Sequence, residues 1–137
     1  MSGVDLVQWL GAQLNTDAAL AKAAMSGTWQ ARTLPGNIEH VHPAFWVDAE
    51  YTDVEGVTNA TVADCPWSLA DAEHIAEWDP ARVLREIDGR RRTLVRCQEE
   101  MLSGIPRLVH FAKQTVREMA LPYEGRPGYE ASLAAFE

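Results

Sequence analysis

The spacing of apolar residues changes twice along the chain, and this change constrains the fold more than any other feature. Before Gly27 the apolar residues recur every three or four positions, which is typical of one face of an amphipathic helix. That stripe consists of Val7, Leu10, Leu14, Ala18, Ala21 and Met25. Ser2 followed by Asp5 resembles a capping box, and Gly27 is a suitable stop. We therefore predict an N-terminal helix.

The spacing then shifts to strict alternation, which indicates strands. Phe45, Val47, Ala49 and Tyr51 fall on one face of the first alternating segment, together with Val41. The opposite face carries His40, His42, Trp46, Asp48 and Glu50. A turn signal at residues 53–56 leads into a segment rich in Val and Thr, so we predict an antiparallel β-hairpin. Trp29 is a candidate for a third strand of the same small sheet.

Helical spacing returns at Ser68, which together with Asp71 repeats the capping pattern. A short helix is predicted to end at residue 77. Asp79 and Pro80 then suit the N-cap and the first position of a long helix that ends near Leu102. A third helix runs from Pro106 to Pro122, and an irregular tail is predicted to dock through Tyr123 and Tyr129. The predicted fold class is α+β, in a single domain that spans residues 1–137.

Length and composition favour an ordinary globular domain. The 137 residues suffice for a real core, and the net charge of −8 opposes general affinity for nucleic acid. Residues 1–79 carry two basic and twelve acidic side chains, whereas residues 80–137 carry ten basic and eight acidic ones. The start lacks the pattern of a signal peptide, and no stretch is long and apolar enough for a membrane span. We expect a cytoplasmic protein with reduced cysteines and no membrane contact.

Three segments resemble one family of small actinobacterial and actinophage proteins of unknown function. The segments are Asp5-Leu6-Val7 through Leu14 with Gly27-Thr28-Trp29, His74-Ile75-Ala76 through Asp79-Pro80-Ala81-Arg82-Val83-Leu84, and Leu121-Pro122-Tyr123 with Arg126-Pro127-Gly128-Tyr129. Their order and spacing extend over nearly the whole chain. The resemblance implies an actinobacterial or phage source, and the host cytoplasm if the protein is phage-encoded. It implies no activity and no functional residue.

Histidines provide the only candidates for a metal site. His40 and His42 lie two apart on a predicted strand, so their side chains share a face and could supply two ligands of a metal site. His74 or an acidic residue would have to supply a third ligand. A metal-dependent enzyme centred on these three histidines is thus an alternative, but partly exposed or packing histidines explain them more simply.

Arginines on the long helix provide candidates for an interaction surface. Arg85, Arg92 and Arg96 form one outer stripe at helical spacing, which could contact phosphates or pair with the acidic half of the chain. Arg91 falls with Gln98 in the middle of the predicted apolar stripe of this helix, which consists of Leu84, Ile87, Leu94, Val95, Met101 and Leu102. A buried arginine needs a partner, so we predict either an internal acid such as Glu73 or Asp71, or a homodimer whose register Arg91 sets.

Recognised catalytic motifs are absent, among them the Walker loop, the dinucleotide glycine fingerprint and paired zinc cysteines. We predict no catalytic residue and no cofactor, and we expect a non-enzymatic protein-binding or regulatory module. Its predicted interaction residues are Arg85, Arg91, Arg92, Arg96 and Trp46, the last as an interface anchor. The alternatives are the metal-dependent enzyme and a nucleic-acid contact through the arginine-rich helix, although the net charge argues against nucleic acid.

Overall fold

The computed structural model describes residues 5–34, 45–53, 55–65 and 68–137. Helix α1 spans Leu6–Ala23, strands β1 to β3 span Thr28–Thr33, Phe45–Asp53 and Gly56–Asp64, and helices α2 to α5 span Leu69–Glu77, Pro80–Leu102, Pro106–Ala120 and Tyr129–Phe136. A 3-10 turn at Leu121–Tyr123 precedes α5. This order of helix, antiparallel sheet and helices confirms the predicted α+β class.

Contacts divide the chain into two compact units, and the division falls within α1 and within α3. Unit 2 is residues 19–85, and unit 1 takes in α1 up to Ala18 together with residues 86–137. Each unit is described by itself below. That the chain forms a single domain stays a prediction.

Unit 2 contains a three-stranded antiparallel sheet in the order β1-β2-β3. Trp29 pairs with Ala49 across β1 and β2, so the predicted third strand is present. Val47 and Ala49 are fully buried, as the alternation predicts, and Val47 packs with Cys65 and Ala72 of α2. Helix α2 therefore covers one face of the sheet. A small sheet needs such packing, since it is stable only when it lies against another element.

Side-chain caps begin the helices of unit 2 where the sequence predicts them. Ser68 Oγ accepts a hydrogen bond from the Asp71 backbone N–H at 3.2 Å, and Asp79 Oδ1 accepts one from the Arg82 N–H at 2.9 Å. The guanidinium of Arg82 also lies 4.2 Å from the ring centre of Trp78 and pairs with Glu77 at 2.7 Å. The His-Ile-Ala to Asp-Pro-Ala-Arg segment thus has a structural role at this helix junction.

Helix α1 begins one turn later than the capping pattern at Ser2 suggests. Asp5 is the cap, because its Oδ1 accepts a hydrogen bond from the Gln8 N–H at 3.0 Å, while Ser2 lies outside the described residues. The helix ends at Ala23, ahead of the predicted stop at Gly27. Gly27 adopts φ +103°, and a Cβ there would collide with the Glu50 carbonyl, so glycine lets β1 start close against β2.

The predicted irregular tail docks in unit 1, but part of it is helical. Tyr123 and Tyr129 are both buried, and their ring centres lie 6.4 Å and 5.7 Å from that of Trp9. Residues 129–136, predicted to be irregular, form α5, whose buried positions are Tyr129, Ser132 and Phe136. Their spacing of three and four is helical, and the alanines between them favour a helix.

Both cysteines are free and buried. Among the described residues, no helix combines the length and the apolar character that a membrane crossing needs.

Candidate functional site: an arginine-lined groove

The buried face of α3 is not the one that the sequence suggests. Arg91 and Gln98 are exposed, whereas Ile87, Leu94 and Cys97 are buried. Arg91 donates a hydrogen bond at 2.7 Å to Asn15 Oδ1, so its partner is an amide rather than the predicted Glu73 or Asp71. The prediction of a buried Arg91 is wrong because including Val95 and Leu102 turned the stripe by about one residue, or 100°. Both of those side chains are exposed.

Arg90 lies beside the buried face instead, and its charge is matched by hydrogen bonds. Its Nη1 donates to the phenol oxygen of Tyr123 at 3.1 Å, and the phenol in turn hydrogen-bonds to Asp17. Asp17 also pairs with Arg126 at 2.8 Å, and Arg126 lies 4.6 Å from the ring centre of Tyr123. Burial raises the pKa of Tyr123, Asp17 raises it further and Arg90 lowers it. This network holds Arg90 and the tail together.

A groove of about 600 Å³ opens beside Arg90 in unit 1. We call it the arginine groove; it is lined by Glu86, Gly89, Arg90, Arg92, Thr93 and Arg96 of α3 and by Met119 of α4. Gly89 leaves room because nothing lies within 4 Å of the position that its Cβ would take. The groove therefore combines three guanidinium groups with an apolar methionine.

The three arginines differ in how far their charges are already matched. Arg92 pairs with Asp88 at 3.0 Å, but the two side chains are 78% and 60% exposed, so the pair contributes little. Arg90 lies 3.9 Å from Glu86 and bonds Tyr123. Arg96 makes no ion pair or hydrogen bond to any residue that the structure describes. Arg96 is thus the cation most available to an added anionic group.

An apolar stripe of α4 continues from the groove. Met119 shares a helix face with Leu108, Phe111 and Thr115, which precede it at spacings of three and four. Phe111 is 53% exposed and Leu108 is 37% exposed. The guanidinium of Arg107 lies 5.7 Å from the ring centre of Phe111. The groove and the stripe together form one surface that is basic at one end and apolar at the other.

Cys97 follows Arg96 in α3, and its thiol is free and buried. Burial raises the pKa of the Cys97 thiol and Glu100 raises it further, while Arg96 lowers it. The nucleophile in cysteine chemistry is the thiolate, which a raised pKa disfavours at neutral pH.

The remaining predicted residues lie elsewhere. His74 is exposed on α2, with its ring centre 6.4 Å from that of Trp78, and His40 and His42 fall outside the described residues. Within residues 5–34, 45–53, 55–65 and 68–137, no three His, Cys, Asp or Glu side chains are placed to hold a metal ion. Arg85 is exposed in unit 2, and Trp46 is half-buried on β2.

Sequence reasoning selected Arg92 and Arg96 but missed the apolar part of the surface. Leu108 and Phe111 went unnoticed because Val109, Ala112, Val116 and Met119, which recur at helical spacing, predict a buried side of α4 by themselves. A signal was nevertheless present, since Leu108, Phe111 and Met119 form a second apolar stripe beside the first. Arg90 was missed because the predicted apolar stripe of α3 was turned by about one residue, which placed Arg91 rather than Arg90 beside the buried face.

Comparison with known proteins identifies one family. A family model described as "Family of unknown function (DUF6221)" matches residues 3–134, nearly the whole chain. No curated protein and no solved structure matches the chain.

Proposed function

The chain belongs to the DUF6221 family of unknown function, and from this premise we propose that it is a non-enzymatic protein-binding module. In this proposal the arginine groove and the apolar stripe of α4 take an acidic amphipathic helix of a partner protein. The observation that carries the proposal is the continuity of the two parts, since Met119 lines the groove and lies on the same helix face as the exposed Phe111.

Apolar exposure supports a protein partner. Exposed aromatic side chains beside arginine are the residue types that dominate binding energy in protein interfaces. A helix laid into a groove presents apolar anchors at spacings of three and four, which matches the stripe formed by Leu108, Phe111 and Met119.

Charge supports an acidic partner. Arg96 has no ion-pair partner among the described residues, and the exposed pair of Arg92 with Asp88 can exchange for an incoming carboxylate. Residues 80–137 carry a net charge of +2, against −10 for residues 1–79, so this part of the chain repels an acidic partner less.

Origin and localisation are part of the same proposal. The sequence resembles actinobacterial and actinophage proteins, and this resemblance supports an actinobacterial or phage source and a cytoplasmic site of action.

Selection from a displayed library of amphipathic helices tests the proposal, with the positions that flank the apolar stripe of each helix randomised. We expect the selected helices to be enriched in Asp and Glu at those positions. Their affinity should fall about tenfold in Phe111→Ala, the effect of losing one interface anchor. Val57→Ala is the control, because Val57 is also exposed and apolar but belongs to β3 in unit 2.

Charge reversal makes the test specific. Arg96→Glu should weaken the binding of the acidic helices and shift the selection toward helices with Lys and Arg. Arg85→Glu, which changes an exposed arginine outside the groove, should have neither effect. A selection without binders, without acidic enrichment, or with equal effects of the two arginine variants overturns the proposal. Competition by duplex DNA or by a second copy of the chain would assign the surface to that ligand instead.

A further inference from the structure

A second cleft lies in unit 2, apart from the proposed protein-binding surface. Its volume is about 760 Å³, within the range of sites that take small molecules. The cleft forms where the end of α1, the start of β1, the end of β2 and the first turn of α3 meet. All of its lining residues belong to residues 21–84.

The walls of the cleft are mainly small and apolar. Ala21, Ala24, Pro80, Ala81 and Leu84 supply the apolar surface, and Ser26, Thr28, Tyr51 and Thr52 add hydroxyl groups. Gly27 shapes one side, because its φ of +103° lets its backbone approach the Glu50 carbonyl more closely than a Cβ would permit. Such a lining accepts the apolar body of a small molecule and offers it a few polar contacts.

Two opposite charges also line the cleft. Lys22 is the penultimate residue of α1 and Glu50 lies near the end of β2, and both residues line the cleft. Neither makes an ion pair or a side-chain hydrogen bond with any other residue that the structure describes. They are not paired with each other, although the same cleft contains both. The site thus offers a cation and an anion that no residue of the described part of the chain neutralises.

We propose that this cleft binds a small zwitterion with an apolar body, such as an apolar amino acid. Glu50 receives the ammonium group, Lys22 receives the carboxylate, and the alanines with Leu84 contact the apolar part. A molecule with one charge leaves either Lys22 or Glu50 without a counter-charge, so it makes one charge pair where a zwitterion makes two. The proposal concerns unit 2 alone and does not depend on the protein-binding surface of unit 1.

Titrations followed by amide NMR test this inference, with leucine and phenylalanine as zwitterions and with 3-methylbutylamine and 4-methylpentanoate as singly charged analogues of leucine. We expect leucine or phenylalanine to shift the amide signals of Gly27, Thr28 and Thr52. The better zwitterion should bind about tenfold more tightly than either singly charged analogue.

Two variants assign the charges. Glu50→Gln should remove the preference for leucine over 4-methylpentanoate, and Lys22→Gln should remove the preference for leucine over the amine. Glu73→Gln is the control, because Glu73 is exposed on α2 and does not line the cleft. Unchanged amide signals with about 10 mM of either zwitterion, equal affinity for the singly charged analogues, or equal effects of Glu50→Gln and Glu73→Gln would overturn the inference.

Discussion

The indole Nε1 of Trp9 donates a hydrogen bond to the carbonyl oxygen of Pro127 at 3.0 Å, and the two residues lie 118 positions apart in the sequence. The same indole packs edge-on against Tyr123 and Tyr129. Trp9 is therefore the residue on which the C-terminal tail docks, and it joins both ends of unit 1.

Replacing Trp9 by Phe should destabilise the protein by about 2–3 kcal/mol, since the change removes a partly buried hydrogen bond and leaves a void beside two tyrosines. Trp78→Phe is the matched control, because Trp78 is 41% exposed and its ring lies beside Arg82 and His74. Its cost should stay below about 1 kcal/mol. Urea denaturation of the three proteins gives the comparison, and equal losses would contradict the docking role of Trp9.

Gly128→Ala should destabilise the protein more than Gly104→Ala. Both glycines have a positive φ, +88° and +70°, so both substitutions carry the strain of the left-handed region, about 1 kcal/mol. Only at Gly128 would the added Cβ also meet another side chain, 2.7 Å from Trp9 Nε1, whereas nothing lies within 4 Å at Gly104. We expect a lower melting temperature for Gly128→Ala, and the reverse order would contradict this packing.

Tyr123 should make stability fall at alkaline pH. Its pKa is raised from 10.0 by burial, with Asp17 adding to the rise. The folded protein therefore holds the phenol proton more tightly than the unfolded chain, and the unfolded chain ionises first as the pH rises. The stability linked to this proton is complete below the unfolded pKa and is lost as the pH rises through the folded one.

Tyr123→Phe removes this titration and leaves the other ionisable groups in place. Its free energy of unfolding should start lower, because the bonds to Arg90 and Asp17 are gone, but it should fall less steeply as the pH rises above about 10. Urea denaturation across this range checks the difference. Identical slopes for the two proteins would mean that the Tyr123 proton is not linked to folding.

Arg91→Ala should leave the molecular mass in solution unchanged. The homodimer predicted from Arg91 stays a prediction, but its argument needed a buried guanidinium, and Arg91 is exposed and bonded to Asn15 of its own chain. Light scattering on the wild type and on Arg91→Ala at about 100 micromolar gives the test. A dimer that becomes a monomer in Arg91→Ala would restore the original argument.

Duplex DNA should show no mobility shift with this protein at about 0.15 M salt, because the chain carries a net charge of −8. Only two of the exposed arginines, Arg92 and Arg96, line the groove, and the acidic Glu86 lines it with them. Binding that weakens with salt and disappears in Arg92→Glu would contradict this expectation.

Local signals predicted most elements of the fold. Asp79 and Pro80 defined the start of α3, and the alternation around Val47 defined the buried face of β2, because caps and strand alternation depend on near neighbours. Local signals did not predict which face of α3 is buried, since apolar side chains such as Val95 and Leu102 occur on its exposed side. Which face is buried depends on packing partners distant in sequence.

The candidate sites were harder to predict than the fold. Arg92 and Arg96 were selected for their charge, but the cleft near Glu50 brings together four elements whose meeting no local pattern encodes. Helix α5 has helical spacing of its own, but where it starts depends on Gly128, where a left-handed turn and the contact with Trp9 position Tyr129. These features arise from tertiary contacts, which periodicity does not reveal.

The division of the chain also bears on synthesis. Unit 2 comes from one continuous stretch, residues 19–85, whereas unit 1 combines α1 up to Ala18 with residues 86–137. On the ribosome, where domains fold as their residues emerge, unit 2 can form while unit 1 is still incomplete. Trp9 is among the first residues synthesised, but its contacts with Pro127 and Tyr129 can form only after those two residues have been synthesised. During that interval the apolar face of α1 is exposed to chaperones, or to aggregation.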